Sequence, residues 1–210
     1  MFVLTVDQIA SRRVGDRVED LLAQLAPTRG AAGVVRAFER TVGDEVQAVL
    51  DDADVAVDLT LLLLRTGGWS VGVGAGPVDE PLPRSARAGG GEAFVRARAA
   101  VERAKSRTRP VPVAVVTGAP DDGRAAEAVL TLLGSVRARR TDAGWAVVDA
   151  VAGLASGAGG ISGVGATQED VARRLGVTQQ AVSQRLRTAM WAEEMAVRPV
   201  AARLLAEGDR

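Results

Sequence analysis

The sequence predicts an α+β protein, a βαββαβ sheet domain followed by an all-α domain. Three observations predict it. Runs rich in β-branched and bulky apolar residues at 2–7, 34–41, 45–50, 69–74 and 111–116 read as strands, with helical-period segments between most of them. Gly43-Asp44 separates two of those runs and signals a two-residue hairpin turn. Beyond Arg124 every periodic segment is helical, and 167–188 carries the caps and the glycine of two helices meeting at a tight bend.

The elements follow in order. Phe2 to Asp7 is the first strand. Val14, Val18, Leu21, Leu22 and Leu25 recur at helical spacing and predict a helix ended by Pro27 and Gly30. Val34 to Thr41 and Glu45 to Leu50 are the arms of the hairpin. Asp52 to Arg65 is a helix, with acids in its first turn and Gly67-Gly68 after its end. Trp69 to Gly74 is a strand, Gly76 to Gly91 a loop rich in Pro and Gly, Glu92 to Lys105 a helix, and Val111 to Val116 a strand. This order is the split βαβ, ferredoxin-like plan. The run from Gly118 to Gly123 marks a boundary, which divides the chain into domains 1–118 and 119–210. In the second domain, helices are expected over Arg124 to Arg137 and Asp142 to Leu154. A Gly/Ser linker over 156–165 and the helix-turn-helix over 167–188 follow. A last helix or pair of helices runs to the end, with Pro199 placed to start one.

Composition narrows the chemistry. The 210 residues fit one large or two small domains, and 47% are hydrophobic. The apolar stretch Val55 to Leu64 is interrupted by Asp58 and is too short to span a bilayer. The N-terminus lacks the basic flank and long apolar run of a signal peptide, so no membrane and a cytoplasmic location are expected. There is no Cys and no His. That excludes disulfides, thiolate nucleophiles, zinc fingers and a Ser-His-Asp triad. Any metal would be held by carboxylates, which favours Mg²⁺ or Mn²⁺. The 26 acidic and 26 basic residues exclude a uniformly basic surface. A local basic face is compatible with them: 167–187 holds four Arg against one Asp and one Glu.

The stretch 167–188 fits a helix-turn-helix throughout. Thr167 can cap the first helix, with Asp170 near its positive end. Ala172 is small where two helices cross, and Gly176 supplies a left-handed turn residue. Thr178 caps the second helix, while Val171, Leu175, Val177, Val182 and Leu186 form a shared core. The second helix would enter the major groove by its N-terminal residues. Gln179, Gln180, Ser183 and Gln184 are the expected base readers, since Gln pairs bidentately with adenine. Thr178, Arg185, Arg187, Arg173 and Arg174 complete the expected contact face, the arginines against phosphate. Double-stranded DNA is the expected partner, and a homodimer built on Met190 to Leu205 the expected state. The run Val177 to Val182 resembles the recognition helices of phage repressors, of the last helix-turn-helix of sigma factors, and of MarR-like regulators.

In the first domain, Asp7 ends the first strand, and Asp44 and Glu45 sit at the hairpin tip. A ferredoxin-like sheet would bring them together, so Asp7, Asp44 and Glu45 are the candidate metal ligands. This pattern resembles the palm domain of class III nucleotide cyclases and diguanylate cyclases. Asp7 matches their metal-binding Asp, Gly43-Asp44-Glu45-Val46 the second half of the diguanylate signature, and Trp69 to Pro77 the strand ending in Gly-Pro. The helix that normally carries an Asn and, four residues on, an Arg holds Val95 and Ala99 here. The resemblance implies the fold and a Mg²⁺ or Mn²⁺ site, and the missing pair argues against catalysis. Gly90 and Gly91 before a helix, and Ser11 and Arg12 after the first strand, are candidate phosphate-binding residues for a nucleotide effector.

Over nearly its full length the chain resembles the SatD family of bacterial proteins. The residues carrying this are Asp7 with Ser11-Arg12, Gly43 to Gln47, Ala97-Arg98, Ala104-Lys105 and Ala181 to Arg185. The resemblance implies a cytoplasmic protein of the kind labelled a transcriptional regulator. The expected function is therefore a sequence-specific DNA-binding regulator with a palm-like sensing or dimerisation domain. The alternatives are a metal-dependent cyclase-like enzyme targeted by its helix-turn-helix, and an inactive interaction protein.

Overall fold

In a computed structural model, which describes residues 1–155 and 167–209, the run Phe2–Gln8 is a central strand, β1, buried at every position but Asp7. It lies between β3 (Glu45–Leu50) and β4 (Trp69–Ala75) and is antiparallel to both. β2 (Val34–Arg40) pairs antiparallel with β3 at one edge, and β5 (Val113–Val116) runs parallel to β4 at the other. The chain is thus mixed α+β around a five-stranded sheet of order β2-β3-β1-β4-β5. The hairpin turns over three residues, Val42-Gly43-Asp44, rather than the two expected: Arg40 lies opposite Val46, the Thr41 amide donates to the Glu45 carbonyl at 2.9 Å, and the Glu45 amide donates to the Val42 carbonyl at 3.2 Å. Gly43 sits in that loop at φ 63°, a left-handed conformation that favours glycine.

The helix expected over Val14 to Leu25 starts only at Val18, as α2 (Val18–Leu25), and Val14 instead ends a separate single turn, α1 (Ser11–Val14). The break has a tertiary cause. The buried Gln8 side chain donates to the Gly15 carbonyl at 2.6 Å and accepts from the Arg17 amide at 2.8 Å, holding the chain open between them. α3 (Ala53–Thr66) is capped by Asp52, whose side chain accepts from the amides of Asp54 and Val55. It packs on one face of the sheet. α4 (Glu92–Ala104) packs on the other, where Ala93, Phe94 and Ala97 join Val3 and Val49. Period-2 alternation therefore points Val3, Thr5 and Asp7 toward α4 and sends Leu4 and Val6 to the opposite face.

The described residues form two units, 1–135 with 198–209, and 136–155 with 167–197. The division falls inside two helices, α5 (Pro120–Ala138) and the last helix, rather than at residue 118. Contacts remote in sequence explain why the first unit extends so far. Glu127 of α5 accepts from Arg103, from Arg109 and from the Val115 amide, which ties it to the end of α4 and to β5. The Gly118 amide donates to the Gly208 carbonyl at 3.0 Å, and the terminal amine of Met1 meets Asp209 at 2.6 Å.

The second unit contains α6 (Asp142–Ala155), α7 (Gln168–Leu175), α8 (Gln179–Thr188) and the first turns of α9 (Trp191–Gly208). The stretch expected as a linker lies outside the described residues. α9 runs through Pro199 as one helix instead of starting there, giving up the bond that the missing N–H would make. Val147 and Ala150 of α6, Val171 and Ala172 of α7, and Val182 of α8 form the core of this unit, with Leu175, Val177 and Leu186 against it. No helix among the described residues is long and apolar enough to cross a membrane.

Gly176 joins α7 to α8 with φ 64° and ψ 33°, and its amide closes onto α7 carbonyls. A Cβ there would meet nothing within 4 Å, so the demand is on the backbone alone. Gly176→Ala is expected to cost about 1 kcal/mol, the penalty of a left-handed L-residue. A thermal melt of the two proteins checks it.

Candidate nucleic-acid interface and the acidic sheet edge

The chain sets the angle between α7 and α8 by local chemistry. Thr167 and Asp170 form a reciprocal capping box: the Thr167 hydroxyl accepts from the Asp170 amide, and the Asp170 carboxylate accepts from the Thr167 amide. The Val177 amide donates to the Ala172 carbonyl at 3.0 Å, which folds the turn under α7. Thr178 then caps α8 by accepting from the Ala181 amide at 3.2 Å. Val182 is fully buried, so the opposite face of α8 is turned outward.

That outward face carries the expected readers. Gln180, Gln184 and Arg187, spaced four and three residues apart, are exposed on one stripe, with Gln179 exposed at the helix start. Ser183 and Arg185 are half-buried on its flanks. On α7, Arg174 is exposed, while Arg173 already pairs with Asp170 at 3.0 Å and Glu169 at 3.4 Å. The two α7 arginines therefore differ in how far acids of the chain already engage them.

Asp170 also gives this site a pH signature. Its carboxyl is held below the usual range by the Thr167 hydroxyl, then by the Thr167 amide and Arg173. A carboxyl lowered on folding stabilises fully above its unfolded value of about 3.9 and loses that contribution as pH falls through its folded value. Asp170→Asn is therefore expected to melt below the native protein at neutral pH. The gap should close on acidification, as read from melting curves across the acidic range.

Two arginines missed by the sequence reading lie beside this surface. Arg140 is buried, and its guanidinium donates to the Ala189 carbonyl at the C-terminus of α8 at 3.1 and 2.7 Å. Arg137 and Arg140 both donate to buried Glu194 at 2.6 Å and both stack on the Trp145 ring, at 5.0 and 4.6 Å. The three arginines of 137–140 hint at a cationic feature, but nothing local pairs them with Glu194.

In the first unit the sheet register brings Asp7 opposite Glu45. Both carboxylates already have cations. Asp7 meets Lys105 at 3.0 Å, and Glu45, nearly buried, accepts from Thr41 at 2.6 Å and Arg98 at 3.1 Å. Burial pushes the Asp7 carboxyl up; Lys105 draws it down, and Asp44 and Glu45 add to the rise. For Lys105, burial is the largest single influence and would lower it, yet its bonds to Glu102 and Asp7 together raise it. Among the described residues no group of three acids is placed to hold a metal ion. Lys105 and Arg98 are thus the cations that Asp7 and Glu45 meet in this structure.

The phosphate candidates are not brought together. Gly90 and Gly91 border a cavity of about 400 Å³ with Phe94 and Arg98. A separate one of about 550 Å³ lies beside Asp7, Ala10 and Lys105. Asp79 crowds Gly90: a Cβ there would stand 2.5 Å from the Asp79 carboxylate. The Ala93 amide, at the start of α4, donates to the Pro77 carbonyl. Asp79 thus lies beside Gly90, and the Ala93 amide is already bonded. Ser11 and Arg12 belong to the single turn of α1, with Arg12 exposed. Val95 and Ala99 are exposed on α4. Of the expected dimer segment, Glu194, Ala201, Ala202 and Leu205 are already buried within the chain, and Met195 and Val200 remain exposed. No family model matches the chain, and neither does any curated protein or solved structure.

Proposed function

We propose that this chain is a sequence-specific DNA-binding protein, a transcriptional regulator of the SatD type working in the cytoplasm. The observation that carries the reading is the stripe of Gln180, Gln184 and Arg187 on α8, exposed on a helix fixed by two threonine caps and a left-handed glycine. Amide side chains next to a guanidinium, on a helix free to enter a major groove, are what direct readout uses. The first unit we read as a ferredoxin-like, palm-type domain with a sensing or dimerisation role. The order β2-β3-β1-β4, antiparallel throughout, supports that reading, with β5 added at one edge. A cyclase-like enzyme finds less support, because Asp7 and Glu45 are paired to Lys105 and Arg98.

Fluorescence anisotropy with duplexes from the promoter of the protein's own locus tests the proposal. Gln180→Ala is expected to lower discrimination between specific and scrambled duplexes by about 1–3 kcal/mol, the worth of one bidentate base contact. Arg187→Ala should weaken binding to both duplexes alike. Unchanged discrimination in Gln180→Ala would reject α8 as the reading helix.

A further inference from the structure

On the face of the sheet that α4 covers, the first unit has a cleft of about 400 Å³ beside the short turn Ala86–Ala88. Gln47 of β3, Arg87 of the turn, and Phe94, Val95 and Arg98 of α4 line it, with Gly89 to Gly91 along one side. Glu39 of β2 holds the turn over the sheet: its carboxylate accepts from the Ser85 hydroxyl and, at 2.6 Å, from the Arg87 amide. Glycine at 89 lets the loop lie against the tip of the Phe94 ring, where any Cβ would collide.

Gln47 is the sign that something binds here. It is 5% exposed, and its Nε2 donates to Thr5 Oγ1 at 2.9 Å. Its Oε1 has no partner among the described residues, yet it keeps some accessible surface. Gln47 lines the cleft, so this acceptor opens into it. An amide oxygen this deep without a donor is costly. Arg87 is a second sign. It is exposed, and no acid among the described residues pairs with its guanidinium. Val95, 70% exposed, adds apolar surface next to Phe94. Of the acids nearby, Glu45 engages Arg98 at 3.1 Å, Glu39 is taken up by the turn, and exposed Asp79 lies beside Gly90 without lining the cleft.

We propose that this cleft binds the effector of the first unit, a small organic anion with a flat heteroaromatic body, the chemistry of a nucleoside monophosphate. The inference rests on the sensing role proposed for that unit and names its ligand class. Gln47 Oε1 needs a donor, which the exocyclic amine of a base such as adenine supplies. Phe94 and Val95 give the ring an apolar wall. Arg87, with the part of the Arg98 guanidinium that Glu45 leaves, supplies charge for the oxyanion. The volume lies toward the lower end of the roughly 300–1,000 Å³ of small-molecule pockets, which suits one mononucleotide. Gly90 and Gly91 border this ligand, whereas Ser11 and Arg12 do not.

Calorimetric titration of the full chain with adenosine monophosphate, adenosine and inorganic phosphate tests the site. The monophosphate is expected to bind about tenfold tighter than either part, the worth of one charge-assisted hydrogen bond. Arg87→Ala removes an exposed side chain and should fold as the native protein does. It should weaken the monophosphate by about tenfold and leave adenosine unchanged. Gln47→Met keeps the volume and should weaken adenosine and the monophosphate but not phosphate, with a melting curve as the check on folding. The Gln47 side-chain amide resonances should shift when the monophosphate binds. No binding of the monophosphate, native affinity for it in Arg87→Ala, or an unmoved Gln47 amide would overturn the site and leave the DNA reading standing. Phosphate binding as tightly as the monophosphate would overturn the mononucleotide as ligand. The expected binding with equal duplex affinity in the presence and absence of adenosine monophosphate would uphold the site and overturn the sensing role.

Discussion

Gly72→Val is expected to destabilise the first unit by about 3 kcal/mol or more, at the upper end of what overpacking costs. The reason lies in how closely α4 approaches β4. A Cβ at Gly72 would stand 2.2 Å from the Val101 amide nitrogen and 2.6 Å from the Ala97 carbonyl oxygen, both main-chain atoms. Gly74 faces the same helix, with the Ala93 carbonyl and the Ala97 amide each 2.3 Å from where its Cβ would be. A flexible side chain could move aside; a helix backbone moves only as a whole. Alanines at 93, 97, 100 and 104, all buried, complete the close contact from the helix side. Displacing α4 would also carry Arg98 away from Glu45 and Lys105 away from Asp7, exposing two carboxylates at the sheet edge. Gly134→Ala is the control. Its Cβ would meet the Val111 side chain at 2.7 Å and Leu64 at 3.2 Å, and side chains can repack. Urea denaturation of the three proteins should rank Gly72→Val well below Gly134→Ala, and a native-like midpoint for Gly72→Val would refute the packing argument.

How much of this was legible in the sequence depended on range. The strands and the place of the hairpin were readable because a buried strand needs a run of Val, Leu and Ala, and a tight turn at positive φ favours glycine, though the loop spans three residues rather than two. The join of α7 to α8 was readable for the same reason: Thr167, Gly176 and Thr178 act on backbone atoms within a few residues of themselves. The break at Gly15 was not, since the residue that enforces it is Gln8, seven positions away, acting through its side chain. The extent of the first unit was equally hidden, because Glu127 looks like any acid on an amphipathic helix until Arg103, Arg109 and the Val115 amide converge on it. The acidic edge was half legible. The ferredoxin-like plan predicted that Asp7 would meet the acids of the hairpin tip, but not that the register would set Glu45 opposite it, nor that Lys105 and Arg98 would supply counter-charges from the far end and middle of α4. Arg140 escaped notice in a run of arginines for which the sequence gives no reason to bury one member.

Glu194→Ala should cost the second unit about 3–5 kcal/mol, the range for breaking a buried ion pair by removing one partner. Glu194 is 2% exposed, and each of its carboxylate oxygens takes a guanidinium hydrogen bond, from Arg137 and from Arg140. Without it Arg140 keeps its charge inside the protein and loses its carboxylate. Arg140 is also what closes the C-terminus of α8, by donating twice to the Ala189 carbonyl where the helix has no intrahelical donor left. The loss therefore reaches the proposed reading helix from its buried side, and DNA affinity should fall with stability even though Glu194 touches no exposed surface. Glu194→Gln separates charge from shape. It keeps an acceptor oxygen and the volume but puts an amide N–H₂ where one guanidinium now donates, so it should lie between the native protein and Glu194→Ala. Hydrogen exchange over 136–197 gives the readout within this unit: protection in α6 and α8 should drop in the order native, Gln, Ala. Equal protection in all three would mean that Trp145 and the surrounding apolar core, not the ion pair, hold these helices in place.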